Sequence, residues 1–223
     1  MPEEIKNIRF VLKYKKHDCA VWISHLDSVR LFSRAFHRAG LDVVYSEGFN
    51  PRPRFVFAVP LPLGAASDCE LLEFRLTEAL SPQFIEARLS AVLPNGITVV
   101  SVLPDPPDFS EIRYAEYAYR LADGTCLPEI LIRFLNRDRI EVMKHSKKGE
   151  VLKDIKPAIA SLTPKPDDGG FTVSLSVAPD NFVGPEPFTN ALKSFYLSEG
   201  KAEPEVLSIV RRRFLLGDGN TEY

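Results

Sequence analysis

Cysteine is scarce in this 223-residue chain, and the three that occur, Cys19, Cys69 and Cys126, lie far apart. They form no C-x-x-C pair, which excludes a disulfide framework, a thiolate zinc site and a chain-borne iron–sulfur cluster. An excess of one charge is also lacking: 28 Lys and Arg stand against 30 Asp and Glu, a formal net charge of -2. Such a balance exerts no global pull on nucleic acid or membrane. No apolar run approaches the roughly 18 residues that a membrane span needs. The stretch Met1–Arg9 is charged and contains no leader-like apolar core, so a reduced, cytoplasmic protein without membrane contact is expected. A P-loop, a dinucleotide-binding glycine fingerprint, an H-E-x-x-H pair and a paired-carboxylate motif are all missing. No cofactor and no metal are expected.

What is present is an ordinary globular balance, 45% hydrophobic and 26% charged residues, enough to bury a sizeable core. The charge is unevenly placed. Residues 1–60 hold ten Lys/Arg against six Asp/Glu, whereas residues 61–139 hold seven against twelve.

Periodicity predicts the elements. Ile8, Phe10, Leu12 and Tyr14 alternate as in a strand. Ser24-x-x-Asp27 opens a helix running to Ala39, with Ser24 as N-cap, Leu26, Val29, Phe32, Phe36 and Ala39 as its apolar stripe, and Gly40 as its stop. Extended segments follow at Asp42–Ser46, Arg54–Leu61 and Cys69–Thr77. Ser81-Pro82 starts a second helix with Phe84, Ile85 and Leu89 on its apolar face, and Ile97–Leu103 is a β-branched strand. The order β-α-β-β-α-β is the split β-α-β, ferredoxin-like pattern. It restarts after a stiff connector, Pro104-Asp105-Pro106-Pro107. The second half reads as strand Arg113–Leu121, helix Leu127–Leu135, a hairpin of Ile140–His145 and Glu150–Ile155 around Lys147-Lys148-Gly149, strand Phe171–Val177, helix Glu186–Leu197 and strand Glu205–Leu216. The expected fold is therefore α+β, two tandem ferredoxin-like halves with antiparallel sheets, 1–104 and 105–223.

The chemistry concentrates between Ser24 and Gly64. Arg30, Arg34, His37 and Arg38 line one side of the first helix. Three guanidiniums on adjacent turns repel one another unless an anion or carboxylates lie against them. Asp27 can pair with Arg30; Glu70 and Glu73 are further candidate neutralisers. His25 opens the helix, where free N–H groups suit an anion. The loop Ser46–Arg54 adds Gly48 and Asn50, which permit positive φ, two stiffening prolines, an aromatic at Phe49, and Arg52 and Arg54 on one side of an extended chain. A solvated basic face, with Phe49 tucked into the core, is the plain alternative. Arg211-Arg212-Arg213 forms a second basic cluster. Tyr117 and Tyr119 are sheet aromatics of the kind that stack bases or fill a core.

Ile23-Ser24-His25-Leu26-Asp27, then Arg30 and Arg34–Leu41, resemble the opening of a bacterial family of unknown function, the radical-SAM-linked family. Tyr45-Ser46-x-Gly48-Phe49-Asn50-Pro51-x-Pro53 and Pro60-Leu61-x-Leu63-Gly64, with Ser67 and Glu70, continue the likeness. Asp154-Ile155-Lys156-Pro157 and Gly184-Pro185-x-Pro187 extend it to the second half. The resemblance implies a module fused to, or encoded beside, a radical-SAM protein, frequently near RNA-processing genes, and it implies no established activity. The family usually has His-Pro-Lys where this chain has Arg52-Pro53-Arg54. A guanidinium stays protonated, so a binding role survives that change and proton transfer does not.

Together these features predict an accessory module without catalytic activity of its own that binds an anionic ligand, RNA foremost. The expected contacts are Ser24, His25, Asp27, Arg30, Arg34, Arg38, Phe49, Asn50, Arg52 and Arg54. Two alternatives stand beside it: a protein-interaction or substrate-presenting partner of a radical-SAM protein, and a metal-independent RNA-processing enzyme using His25 or His37. No feature of the sequence sets an oligomeric state.

Overall fold

The alternation that begins at Ile8 produces strand β1, Ile8–Lys16, in which Phe10, Leu12 and Tyr14 turn into the core. The computed structural model describes residues 7–104, 108–122, 128–146, 149–165, 167, 169–217 and 222. The connector at 105–107, the hairpin tip Lys147-Lys148 and Leu127 lie outside the described residues, as does Cys126. The fold is mixed α+β, with four helices among the described residues and mostly antiparallel strand pairing. The chain divides into two compact units, Met1–Phe109 and Ser110–Tyr223.

In the first unit, α1 (His25–Ala39) follows a short 3-10 turn, Asp18–Trp22. Gly40 ends α1 in the left-handed region (φ 66), which costs glycine little. The Arg88 guanidinium then donates to the helix-end Ala39 carbonyl at 2.6 Å. Strand β2 is only Val56–Phe57, much shorter than the expected Arg54–Leu61, since Pro60 and Pro62 supply no N–H to a ladder. Asp42–Ser46 likewise makes isolated bridges only, Val43 with Leu76 and Tyr45 with Pro53. Strand β3 (Ala66–Leu76) pairs with both β1 and β2, and β4 (Ile97–Pro104) pairs with β1. The strand order is thus β4-β1-β3-β2.

Helix α2, Pro82–Ser90, has the expected Ser81 cap, Ser81 Oγ accepting from the Phe84 N–H at 3.3 Å. The core joins Phe10 and Leu12 of β1, Phe32 and Phe36 of α1, Leu72 and Phe74 of β3, and Ile85 and Leu89 of α2. Two expectations fail in detail. Leu26 is 68% exposed and Phe84 is 47% exposed, so neither belongs to its helix's buried stripe. On α1 the buried stripe keeps the expected Phe32, Phe36 and Ala39, adds Ala35, and includes neither Leu26 nor Val29, which is only half-buried.

In the second unit, β5 (Tyr114–Leu121), α3 (Pro128–Leu135), β6 (Glu141–Ser146), β7 (Gly149–Asp154), β8 (Ile159–Lys165), β9 (Gly170–Ser176), α4 (Pro185–Ser198) and β10 (Val206–Leu215) follow in order. Four of them form a sheet ordered β10-β5-β9-β8, while β6 and β7 pair as a separate ribbon. Tyr119 stacks on Phe171 (4.7 Å), and Phe188 of α4 contacts both rings. Burial pushes the Tyr119 hydroxyl pKa up, and that hydroxyl donates to the Pro185 carbonyl at 3.1 Å. The Asp154–Pro157 motif has a structural reason. Asp154 Oδ1 accepts from the N–H groups of Ile140 and Lys156, both at 3.0 Å, and so ties the base of the β6–β7 ribbon.

Candidate functional site

Helix α1 begins with a closed cap. Ser24 Oγ accepts from the Asp27 N–H (3.2 Å), and its hydroxyl donates to Asp27 Oδ2 (2.7 Å). The other Asp27 oxygen accepts from Arg30 Nη1 at 2.8 Å. The Ser24 bond first, and Arg30 next, hold the Asp27 carboxyl below its ordinary pKa.

From that cap the arginines run up one side of the helix. Arg30, Arg34 and Arg38, with Ile23, Asp27 and Leu31 and with Pro94 opposite, line an open groove of about 540 Å³. Arg38 Nη2 donates to the Val92 carbonyl at 2.9 Å, which holds that side chain across the groove without neutralising it. Arg34 has no hydrogen-bond or ion-pair partner among the described residues. Asp27 is the one carboxylate in the lining, against three guanidiniums. Glu73, the candidate neutraliser, is taken up instead by Arg9 (2.9 Å) and Arg75 (3.6 Å).

The loop is an ordered stem with an open tip. Ser46 and Arg52 close it from both sides: the Ser46 N–H donates to the Arg52 carbonyl (2.8 Å), and the Arg52 N–H donates to Ser46 Oγ (3.0 Å). The Arg54 N–H donates to the Val44 carbonyl at 2.9 Å, continuing the stem. Gly48 has φ 117, a conformation that favours glycine. Phe49 is 105% exposed, so the ring is in solvent and not in the core. Asn50, Arg52 and Arg54 are exposed as well. Arg52 and Arg54 do not line the α1 groove, and neither do Phe49 and Asn50. The structure therefore gathers Asp27, Arg30, Arg34 and Arg38, and leaves the loop as a separate feature.

His25 goes with a third feature. Its ring meets the Phe57 ring edge-on at 5.0 Å, and with Ser28 it lines a small cavity of about 10 Å³. Tyr14, Lys16, Val59, Pro60, Leu61 and Glu70 complete that cavity, and Lys16 and Glu70 are both buried. Lys16 Nζ donates to the Ile23 carbonyl at 2.7 Å, just before the helix cap. Sequence reading missed Lys16 and Tyr14 here; their signal was strand alternation, which turns Tyr14 and Lys16 to the same side as Phe10 and Leu12. It also missed Trp22, 69% exposed, whose ring lies against Gly64: a Cβ there would sit 3.2 Å from it.

The remaining sequence candidates resolve as structure. The arginine triplet is not one patch, because Arg211 and Arg213 are both taken up within the fold. A register shift between Arg211 and Arg213 sets both opposite β5, at Tyr117 and Glu116. Arg211 is fully buried beside the rings of Tyr117 and Phe214, and Arg213 makes two bonds to Glu116 (3.1 and 2.8 Å). Tyr117 and Tyr119 are both buried on one face. His17 bonds Asp68 Oδ1 at 2.8 Å. Among the described residues no cluster of three His, Cys, Asp or Glu side chains is spaced to hold a metal ion, and no helix is long and apolar enough to cross a membrane.

Comparison with known proteins gives a family and little more. Residues 9–184 match the model of an uncharacterized protein conserved in bacteria (DUF2344), and the chain belongs to that family. No curated protein matches it. Among solved structures, a crystal structure of an unknown protein from Galdieria sulphuraria is similar at 14% identity and a TM-score of 0.28, covering 91% of this chain and 99% of its own.

Proposed function

We propose that this member of the bacterial family is a cytoplasmic, non-catalytic accessory module that binds RNA through the α1 groove. The observation that carries the reading is the lining of that groove: Arg30, Arg34 and Arg38 share it with a single carboxylate. Successive arginines are four residues apart, about 6 Å along the helix axis. That repeat is comparable to the spacing of phosphates along an extended strand. Guanidinium forks suit phosphate oxygens, and the Arg38–Val92 bond holds one fork in place before any ligand arrives. The exposed Phe49 ring on its closed stem is the matching element for base stacking. We also read each unit as a ferredoxin-like half, a reading supported by the strand orders β4-β1-β3-β2 and β10-β5-β9-β8.

The test is binding of labelled single-stranded RNA over a salt series. Three phosphate contacts predict a log–log slope of magnitude about 2 from this groove alone. Arg34→Glu should weaken binding at least about tenfold at low salt. Affinity indifferent to both salt and Arg34→Glu would sink the reading.

A second reading, docking to a radical-SAM protein, is favoured by the exposed apolar side chains Trp22, Leu26 and Leu63 around the start of α1. Recovery of such a partner with tagged protein, free of nucleic acid and lost on Trp22→Ala, would favour it over RNA binding.

A further inference from the structure

The sheet of the second unit has one face turned toward Phe188 of α4, where Tyr119 and Phe171 lie, and by strand alternation another that carries Ala118 and Arg120. On this second face the register sets Lys165 of β8, Gly170 of β9, Arg120 of β5 and Ser208 of β10 in one row across four strands. Arg212 follows along β10. All of these but Gly170 line a hollow of about 430 Å³ whose walls hold three cations, Arg120, Lys165 and Arg212, two hydroxyls, Thr172 and Ser208, and no carboxylate. Neither Arg120 nor Lys165 has an ion-pair partner among the described residues. The neighbouring Arg213 is already neutralised by Glu116 and does not count. Gly170 keeps the middle of the row open. A Cβ there would lie 1.8 Å from the Tyr119 carbonyl oxygen, so no side chain is tolerated between Lys165 and Arg120.

The chemistry of the hollow narrows its occupant. Lys165 and Arg120 rise from strands two apart, about 10 Å between their backbones, and Arg212 stands further along β10, so the cations are spread over the walls of the hollow. A chain of regularly spaced anions fits the layout. An acidic protein segment would need an apolar anchor, and Ala118 and Val210 offer little area. The aromatic residues of the lining, Tyr119 and Phe171, are buried, so no ring stands free to stack on a base. Contacts limited to charge and hydroxyl groups hold a backbone and carry no base information.

We propose that this sheet face is a second nucleic-acid surface, gripping the sugar–phosphate backbone of single-stranded RNA without regard to sequence. It rests on the reading of this protein as an RNA binder, but not on the α1 groove.

The experiment measures fluorescence anisotropy of labelled oligouridine and oligoadenine with the full chain over a salt series. Arg120→Gln/Lys165→Gln/Arg212→Gln should reduce the log–log salt slope by about 2, three contacts at about 0.7 each, and equally for both RNAs. The double variant Arg120→Gln/Lys165→Gln should reduce it by about 1.4, which guards against any effect of Arg212 on folding. An unchanged slope in folded variants, or a loss confined to one RNA, overturns the proposal. So does a polyglutamate competitor that binds as tightly as RNA and shows the same dependence on the three cations. Arg34→Glu, run in parallel, separates the two sites. Loss there with an unchanged slope in the sheet variants overturns only the sheet proposal, and the converse overturns only the α1 reading. No RNA binding by the unaltered chain overturns both.

Discussion

Arg30 Nη1 lies 2.8 Å from Asp27 Oδ1, and that pair occupies the single carboxylate of the α1 groove. Arg30 is therefore partly neutralised before any ligand arrives, while Arg34 one turn further on is not. The groove has a weak end at the helix cap and a strong one beyond it.

Asp27→Asn should accordingly raise RNA affinity, by about two- to fivefold at low salt, by releasing Arg30 and removing a like charge from the path of the phosphates. The gain should fade as salt screens it. An affinity that falls on this substitution would mean that Asp27 itself touches the ligand.

The same carboxyl makes stability depend on pH. The Ser24 hydroxyl and Arg30 hold its pKa below the ordinary value, so near that value the folded chain binds fewer protons than the unfolded one. The contribution is thus fully present above the unfolded pKa, about 4, and is lost as pH falls through the lower folded pKa. The melting temperature of the unaltered chain should exceed that of Asp27→Asn near neutral pH, and the two should converge on acidification. A gap that widens toward acid would refute the assignment. Because Asp27 is exposed, the gap should also shrink in salt.

How far the sequence announces this site depends on the range of each interaction. Ser24, Asp27 and Gly40 mark the ends of α1 through local chemistry, and the period of β1 turns Phe10, Leu12 and Tyr14 inward. Strand β8 was missed because Pro164 and the polar residues of Ile159–Lys165 read as a loop; its pairing comes from β9. The groove itself is invisible locally, since its far wall is Pro94 and its fixed arginine is held by Val92, 54 residues from Arg38. Arg52 and Arg54 looked like part of it only because they are near in sequence. Arg211 looked exposed because a triplet of arginines normally is; regular pairing opposite Tyr117 sends it inward, and the bulge that follows carries Arg213 to Glu116 on the other face.

Phe49 separates stability from binding. A ring with no buried surface contributes nothing to packing, so Phe49→Ala should leave the urea midpoint unchanged, within about 0.5 kcal/mol of stability. Stacking on a base is worth about 1–3 kcal/mol, so RNA affinity should drop roughly five- to a hundredfold. Unchanged affinity would remove the loop from the interface and leave the α1 groove to stand alone.

Arg211 poses the reverse case, a charge wholly inside the second unit. Its Nε and Nη2 donate to the Tyr117 hydroxyl oxygen at 3.3 and 3.0 Å, and its guanidinium carbon lies 5.4 and 5.0 Å from the ring centres of Tyr117 and Phe214. Tyr117→Phe keeps the ring but removes the acceptor, and should cost about 1–3 kcal/mol in urea unfolding. Arg211→Met removes both of these donors from the phenol and should cost at least as much, since half of a buried polar arrangement is worse than none. The double variant should then cost less than the sum of the two, by about 0.5–3 kcal/mol. Simple additivity would mean that the guanidinium is held chiefly by its other contacts. Single-stranded RNA binding by the folded variants tests the assignment from another side: a buried structural arginine leaves it unaltered, and a change would place Arg211 within reach of the ligand.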